Sequence, residues 1–251
     1  MTKCVLPAVC ALALCMLPAR AAAQIAPFDG RLIVSLNGAV QPGTQNLGGI
    51  QSFERFGETA TIATAQEVKS GGGLLDIGAS YRITRQMGVG LAFTSLGTER
   101  GATIDGSLPH PVIFGQPRGF SLGVPSLEHK QRAVHLNAVY FMPFIENVDF
   151  AFSAGPTFFS VTQGFVRFDD FSEVGEPFTD VNITHSVATR KESGVGFNVG
   201  ADATYAITPM IGAGALLRYT RGTVDFNLAE GRTASLKAGN VQFGVGLRLR
   251  F

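Results

Sequence analysis

Apolar and polar residues alternate strictly along most of the chain. In residues 75–83 the odd-numbered positions are apolar, and Asp76 and Arg82 are among the residues between them. The same period of two recurs in three later stretches: 195–207, 211–219 and 241–251. Successive side chains of a β-strand point to opposite faces, whereas a helical face repeats every 3.6 residues. The pattern therefore predicts strands with one apolar and one polar face.

Three short turn sequences divide the alternating region into hairpins. They lie near residues 84–87, 143–147 and 208–210. Three hairpins give six strands, residues 31–40 add a first strand, and the stretch from about residue 234 adds a last. The sequence thus predicts eight strands. Longer connections separate the hairpins: 41–71, 105–126, 169–190 and 227–233.

Short turns at one end and long loops at the other are typical of barrels that cross an outer membrane. In hydrocarbon every backbone N–H and C=O must be paired, so strands cross a membrane only as a closed barrel. We therefore predict an all-β fold, an eight-stranded antiparallel up-and-down transmembrane β-barrel with short periplasmic turns and long extracellular loops. Four aromatic residues fall where a periplasmic interfacial girdle belongs: Tyr81, Tyr140, Tyr205 and Phe251.

Two other architectures fit the sequence less well. A soluble eight-stranded barrel usually carries Lys and Glu on its wet face, but here the polar positions are mostly Gly, Ala, Ser, Thr and Asn. A ten-stranded barrel would need a further hairpin within residues 41–71, where alternation is poor and no short turn is evident. Pro156 lies in the middle of a predicted strand, and because proline has no N–H we expect a bulge or a local edge there.

The first 23 residues differ in composition from the rest. Lys3 precedes the apolar core CVLPAVCALALCMLP, and the small residues Ala21 and Ala23 follow it. This pattern is typical of a cleaved secretory signal and is too short for a spanning helix. We assign residues 1–23 to a signal peptide and residues 24–251 to one barrel domain.

The cysteines all lie in the predicted signal peptide: Cys4, Cys10 and Cys15. A lipoprotein acylation site needs a small residue before its cysteine, but Val9 and Leu14 occupy those positions before Cys10 and Cys15. The mature chain is then free of cysteine, which excludes disulfides, thiolate metal sites and a cysteine nucleophile.

The chain ends in VQFGVGLRLRF, with an apolar residue at every second position: Phe243, Val245, Leu247, Leu249 and Phe251. This ending resembles the recognition signal that the outer-membrane assembly machinery of Gram-negative bacteria reads. The mature chain resembles the small eight-stranded outer-membrane β-barrel superfamily, that of the outer-membrane protein A transmembrane domain. The resemblance implies residence in the bacterial outer membrane, among its lipid and lipopolysaccharide. It implies no particular activity, because such barrels include structural anchors, adhesins and lipid enzymes.

The polar face should line the barrel lumen, and it carries six charged residues: Asp76, Arg82, Asp202, Arg218, Arg248 and Arg250, with His135 and Asn198 nearby. An eight-stranded barrel is just wide enough for side chains to fill it, and an isolated buried charge is costly. We expect these charges to pair and fill the lumen. The alternative is a small gated or low-conductance channel in which the pairs exchange partners.

No residue pattern indicates catalysis, a cofactor or a metal. His110 lies in a predicted loop, His129 and His135 bound the start of a predicted strand, and no two of these or His185 have ligand spacing with a third donor. The net charge of +1 gives no nucleic-acid footprint. We predict that the chain is not an enzyme. A lipid A-modifying enzyme stays as a further alternative, because catalytic partners in a barrel come from different strands.

Two of the predicted loops have the distinctive compositions that could give the protein binding specificity. The first includes SLPHPVIFGQPRGFSLGVP, with four prolines and several apolar residues, and the second includes FDDFSEVGEPFTD, with five acids and three phenylalanines. Such segments can pack as a cap or form a contact surface. We predict a structural or adhesin-like surface role, with a possible extracellular protein partner at loops 105–126 and 169–190.

Overall fold

The computed structural model describes residues 30–68, 71–227 and 233–251, so the predicted signal peptide lies outside the described residues. No helix in these ranges is long and apolar enough to cross a membrane. The strands are β1 (Leu32–Gln41), β2 (Gln45–Arg55), β3 (Glu58–Val68), β4 (Gly72–Arg82), β5 (Met87–Leu108), β6 (Arg118–Ile145), β7 (Val148–Glu173), β8 (Val181–Ala206), β9 (Ile211–Asn227), β10 (Thr233–Ala238) and β11 (Val241–Arg250).

Eight strands close into a ring of antiparallel pairs. The order around the ring is β1, β4, β5, β6, β7, β8, β9 and β11, and β11 pairs again with β1. At that seam Ser35 lies opposite Arg248, and Leu36 lies opposite Leu247. β10 continues the line of β11 along β9 after a break at residues 239–240. The predicted eight-stranded antiparallel barrel is confirmed.

The apolar positions of the strands face outward, as the alternation predicts. On β4 the side chains of Leu75 and Ile77 are 48% and 43% exposed, whereas Asp76 between them is fully buried. The girdle aromatics Tyr81, Tyr140, Tyr205 and Phe251 are all exposed next to the short turns or the C-terminus. Because lipid rather than water surrounds this apolar belt, outward exposure of large apolar side chains is favourable here.

Two predicted loops prove to be mostly strand. The segment predicted as loop 105–126 keeps only residues 109–117 outside β5 and β6, and the segment 169–190 keeps only 174–180 outside β7 and β8. β6 alone is 28 residues long, and so it begins well before His129 and His135. Outside the lipid neither face of a strand has to be apolar. The alternation of apolar and polar residues is therefore weaker there, although the backbone pairing of the strands continues. The β5–β6 and β7–β8 hairpins therefore project far outside the membrane.

A hairpin also forms within residues 41–71, where poor alternation argued against one. β2 and β3 meet at a tight turn in which Phe56 and Gly57 have φ values of 52° and 75°. β3 pairs with the far end of β5, with Thr61 opposite Ser107, so the hairpin lies beyond the ring and adds no strand to it. We call residues 45–68, 98–127 and 164–195 the extracellular body.

Pro156 produces a local edge rather than a bulge. The pairing of β6 with β7 is interrupted opposite residues 155 and 156 and resumes in the same register. On its other side Pro156 stays in register with Phe197 of β8. The bulge-like shifts of β6 and β7 fall elsewhere, between Pro143 and Ile145 and between Phe168 and Asp170.

Candidate functional site

The lumen contains an ion pair between neighbouring walls of the barrel. Asp76 on β4 accepts a hydrogen bond from the Arg218 guanidinium of β9 at 2.5 Å. Its other oxygen accepts from the Asn37 side-chain amide at 2.7 Å. All three side chains are at least 94% buried, so the charges are satisfied by each other rather than by water.

Arg248 connects this pair to a second one. Its guanidinium donates to the Asn37 side-chain oxygen at 2.6 Å and also forms an ion pair with Asp202 of β8. The Thr204 hydroxyl donates to Asp202 at 3.0 Å. Arg248 sits over Gly214, where an added Cβ would lie 2.5 Å from the guanidinium carbon. The side chains of β1, β4, β8, β9 and β11 thus form one charged layer.

The remaining predicted charges lie at the periplasmic end. Arg250 pairs with Asp149 at 2.7 Å. The Arg82 guanidinium stacks over the Phe141 ring at 4.6 Å and forms no ion pair with an acid of the described residues. Asp149 was missed by the sequence reading. It shares the odd-numbered, inward parity of Thr157 on β7, which is the signal that could have identified it.

A neutral polar layer lies next to the charged one. His135 bonds the hydroxyls of Thr94 at 3.3 Å and Thr157 at 2.9 Å, and Asn198 donates to Thr157 at 3.1 Å. A cavity of about 80 Å³ on the charged side is lined by residues that include Ser35, Ser80 and Asp202. It is large enough for several water molecules.

An apolar cluster closes the outer end of the barrel, beyond this neutral layer. Ala133, the next inward residue of β6 after His135, belongs to it. We call this cluster the apolar plug: Val68, Ala133, Phe159, Val161, Phe165, Val224, Phe226, Leu236 and Ala238. Phe165 and Phe226 meet edge to face with centroids 5.2 Å apart. The buried amides of Gln131 and Gln163 lie beside this cluster. An ion would have to pass the apolar plug and then the paired charges of the network.

A clasp at the outer tip joins the two hairpin loops. Arg118 at the start of β6 forms a bidentate pair with Glu173 of β7, with N–O distances of 2.5 and 2.8 Å. The same guanidinium donates to the carbonyls of Pro109 and Phe178, each at 2.8 Å. Hydrogen bonding to Arg118 lowers the pKa of Glu173, and the reciprocal bond raises the pKa of Arg118. The clasp fixes loop 109–117 against loop 174–180.

The β7–β8 hairpin leaves one strand edge open. Residues 181–195 of β8 pair with β7, while the pairing of β8 with β9 begins only at Gly196. In the described part of the chain, no strand covers the other edge of this segment. Residues 184–191 are all exposed, and an open edge of this length is a template for pairing with another chain.

The histidines form no catalytic arrangement with acids. Across residues 30–68, 71–227 and 233–251, none of the four histidines hydrogen-bonds a carboxylate, and no group of three or more potential metal ligands is assembled. His129 bonds the Gln163 side chain at 2.7 Å, and His110 accepts from the backbone N–H groups of Val112 and Ile113. The expectation that the chain is not an enzyme stays a prediction.

The five residues of the predicted assembly signal all face the lipid. Their exposed fractions lie between 37% and 70%: Phe243, Val245, Leu247, Leu249 and Phe251. The backbone of Phe251 exchanges two hydrogen bonds of 2.9 Å with Leu32 of β1. The last residue therefore takes part in closing the barrel, and its ring remains available at the outer surface.

Comparison with known proteins gives a family and a set of similar folds. The family model for the outer membrane protein beta-barrel domain matches residues 8–248. No curated protein matches the sequence. Neisserial surface protein A (NspA) is 14% identical, with a TM-score of 0.46 over 88% of this chain and 97% of that one. OprG from Pseudomonas aeruginosa is 13% identical, with a TM-score of 0.44 over 88% and 96%.

A further similar structure is Ail, the attachment invasion locus protein of Yersinia pestis. It is 13% identical to this chain, with a TM-score of 0.40 over 88% of this chain and 100% of that one. At such identities the likeness concerns the fold and carries no information about activity.

Proposed function

Because the chain belongs to the outer membrane protein β-barrel domain family, and so lies in the bacterial outer membrane, we propose that it is a surface-interaction protein. The barrel anchors the extracellular body, and the body contacts a partner outside the cell. The observation that carries this proposal is the contrast between the two ends of the long strands. The lumen is filled by the charged network and the apolar plug, whereas β8 presents an open edge outside.

Apolar packing and a hydrogen bond hold β7, the strand that pairs with the open edge, against the rest of the extracellular body. The sheet of β2, β3, β5 and β6 packs on β7 through a second apolar cluster that includes Ile62, Ile104 and Val124, with Phe168 against it. Gln66 of β3 donates to the Gly164 carbonyl of β7 at 2.5 Å. Such preorganisation lowers the entropy that a partner must overcome on binding.

A shortened hairpin tests the proposal. Removing residues 166–187 and joining Phe165 to Ala188, which lie opposite each other, by a two-residue turn removes half of the exposed segment 184–191 and keeps the membrane part and the plug residue Phe165. Cells displaying the full chain should attach to immobilised extracellular-matrix proteins or to host cells. Cells displaying this variant should lose that attachment. Heat-shifted gel mobility serves as the folding control. Equal attachment by the variant, the full chain and cells lacking the protein would contradict a surface-interaction role.

A gated or low-conductance channel is the second candidate. It is favoured by the shared position of Arg248, which contacts both Asn37 and Asp202 and could exchange partners without leaving the lumen. Planar-bilayer recording separates the two functions. We expect a silent bilayer from folded protein. Single-channel steps that change on Asp202→Asn would make the charged layer a gate and put the channel first.

A further inference from the structure

Two basic residues lie together on the outer wall of β9 and β10. Thr223 and Lys237 are register partners, and Arg221 is the preceding outward residue of β9, so Arg221 and Lys237 are diagonal neighbours. Diagonal Cα atoms across an antiparallel pair are about 7–8 Å apart, which long side chains readily span. A single anionic group can therefore contact both cations at once.

The pair sits at the outer border of the apolar belt. Arg221 is ten residues from Ile211, the exposed apolar residue at the periplasmic start of β9. At about 3.3 Å per residue and a tilt of about 40°, this is a height of about 25 Å, the usual height of the lipid-facing band. Arg221 and Lys237 are thus at the level of lipid headgroups.

The surface directly below the pair is built for acyl chains. Phe197 lies opposite Arg221 in the register of β8 and β9, and its ring packs 6.1 Å from that of Tyr219. Val241 lies opposite Tyr219 on β11. Cationic groups above an aromatic and aliphatic patch match an amphiphile that carries its negative charge at the head.

The two cations have no carboxylate partner among the described residues. Asp225 lies two outward positions beyond Arg221, and its carboxylate accepts a hydrogen bond from Ser235 at 2.6 Å. The backbone of Lys237 is held by the Gln45 side chain, which accepts from its N–H at 3.0 Å and donates to its carbonyl. Asp225 is the other diagonal neighbour of Lys237, but among the described residues no ion pair joins it to Lys237 or to Arg221. The backbone of the site is therefore held in place, and both cations can contact an anion.

We propose that Arg221 and Lys237 form a binding site for the phosphate of an outer-leaflet glycolipid, whose acyl chains lie on Phe197, Tyr219 and Val241. Guanidinium and ammonium groups are the usual protein ligands of phosphate, and their hydrogen bonds to it are charge-assisted. This site lies on the barrel wall and is independent of the proposed contact at the β8 edge.

Native mass spectrometry of protein purified from outer membranes and stripped of lipid tests the site. The probes are bisphosphorylated lipid A and the same lipid without its phosphates. We expect the phosphorylated lipid to bind about tenfold more tightly, as a charge-assisted contact of this kind implies. Arg221→Ala and Lys237→Ala together should abolish that preference. Arg85→Ala is the matched control, because Arg85 is an exposed arginine in the periplasmic turn.

Three outcomes would overturn the proposal. One is equal binding of the two lipids by the unaltered protein. Another is a loss of the preference that is no greater in the double variant than in the Arg85→Ala control. The third is displacement of the lipid by inorganic phosphate at concentrations near those of lipid A, since this would indicate a site for a free anion rather than for a membrane lipid.

Discussion

The Arg218 guanidinium lies 2.5 Å from the Asp76 carboxylate, although the two residues are 142 positions apart in the chain. β1 lies between β4 and β11 in the ring, and β11 separates β1 from β9, so the pair reaches across the closing seam. The contact exists only when the first and last strands have joined. The ion pair therefore depends on closure of the barrel, and it also fills part of the lumen.

Asp76→Ala should strongly destabilise the barrel. It leaves Arg218 buried without its acid, and breaking one side of a buried pair costs about 3–5 kcal/mol. Replacing both residues by leucine should cost less than the single change, because no unpaired charge then remains. Urea-dependent folding into lipid vesicles gives the free energy of unfolding for each variant. A double variant no more stable than Asp76→Ala would show that the pair does not act as a unit.

The Arg118–Glu173 clasp should loosen in acid. The folded-state pKa of Glu173 lies below its ordinary value, so the clasp contributes its full stability above about pH 4.5 and loses it as the pH falls through the lower folded value. The protection factors of the amides in loops 109–117 and 174–180, which correct for the intrinsic pH dependence of hydrogen exchange, should fall over that range. Glu173→Gln should exchange faster already at neutral pH and show less dependence on acid. Unchanged protection of both loops in Glu173→Gln would argue against the clasp.

Gly246 should resist substitution, whereas Gly38 on the neighbouring strand should not. A Cβ at Gly246 would lie 1.8 Å from the Leu36 carbonyl oxygen, and at Gly38 it would meet nothing within 4 Å. Gly246→Ala must push β11 away from β1, at a cost of about 1–3 kcal/mol or more. Gly38→Ala should leave stability within about 0.5 kcal/mol of the original. Gel mobility and urea titration of the two variants provide the comparison. Equal stabilities would contradict the close approach of β11 to β1 at Gly246.

Phe251→Ala should lower assembly in cells without preventing folding in detergent. The backbone bonds to Leu32 survive the change, while the exposed ring, the predicted recognition element, is lost. The measurement is the fraction of heat-shifted protein in outer membranes, compared with refolding yield in vitro. Val245→Ala, a lipid-facing change in the same strand, is the control for lost apolar area. If both variants assemble equally well, the ring is not the recognition element.

The charged layer of the lumen was only partly readable from the sequence. Alternation placed Asp76, Asp202, Arg218 and Arg248 on the inward face, because a charge on the lipid face is costly at mid-membrane. It could not assign partners to them. Asp202 meets Arg248 and Arg250 meets Asp149 only through the order and register of the closed ring.

The sequence by itself determined which segments of this protein cross the membrane as strands, and which face of each strand meets the lipid. Lipid admits only apolar side chains on the outer face of a strand and requires every backbone group to be paired. The eight membrane strands and their faces are therefore visible in the sequence as a local alternation of apolar and polar residues. Outside the membrane water satisfies either face, so the long outer halves of β5 to β8 and the β2–β3 hairpin left no such pattern. Tertiary structure alone decided those segments, the apolar plug and the ion-pair partners, because each depends on contacts between residues far apart in the chain.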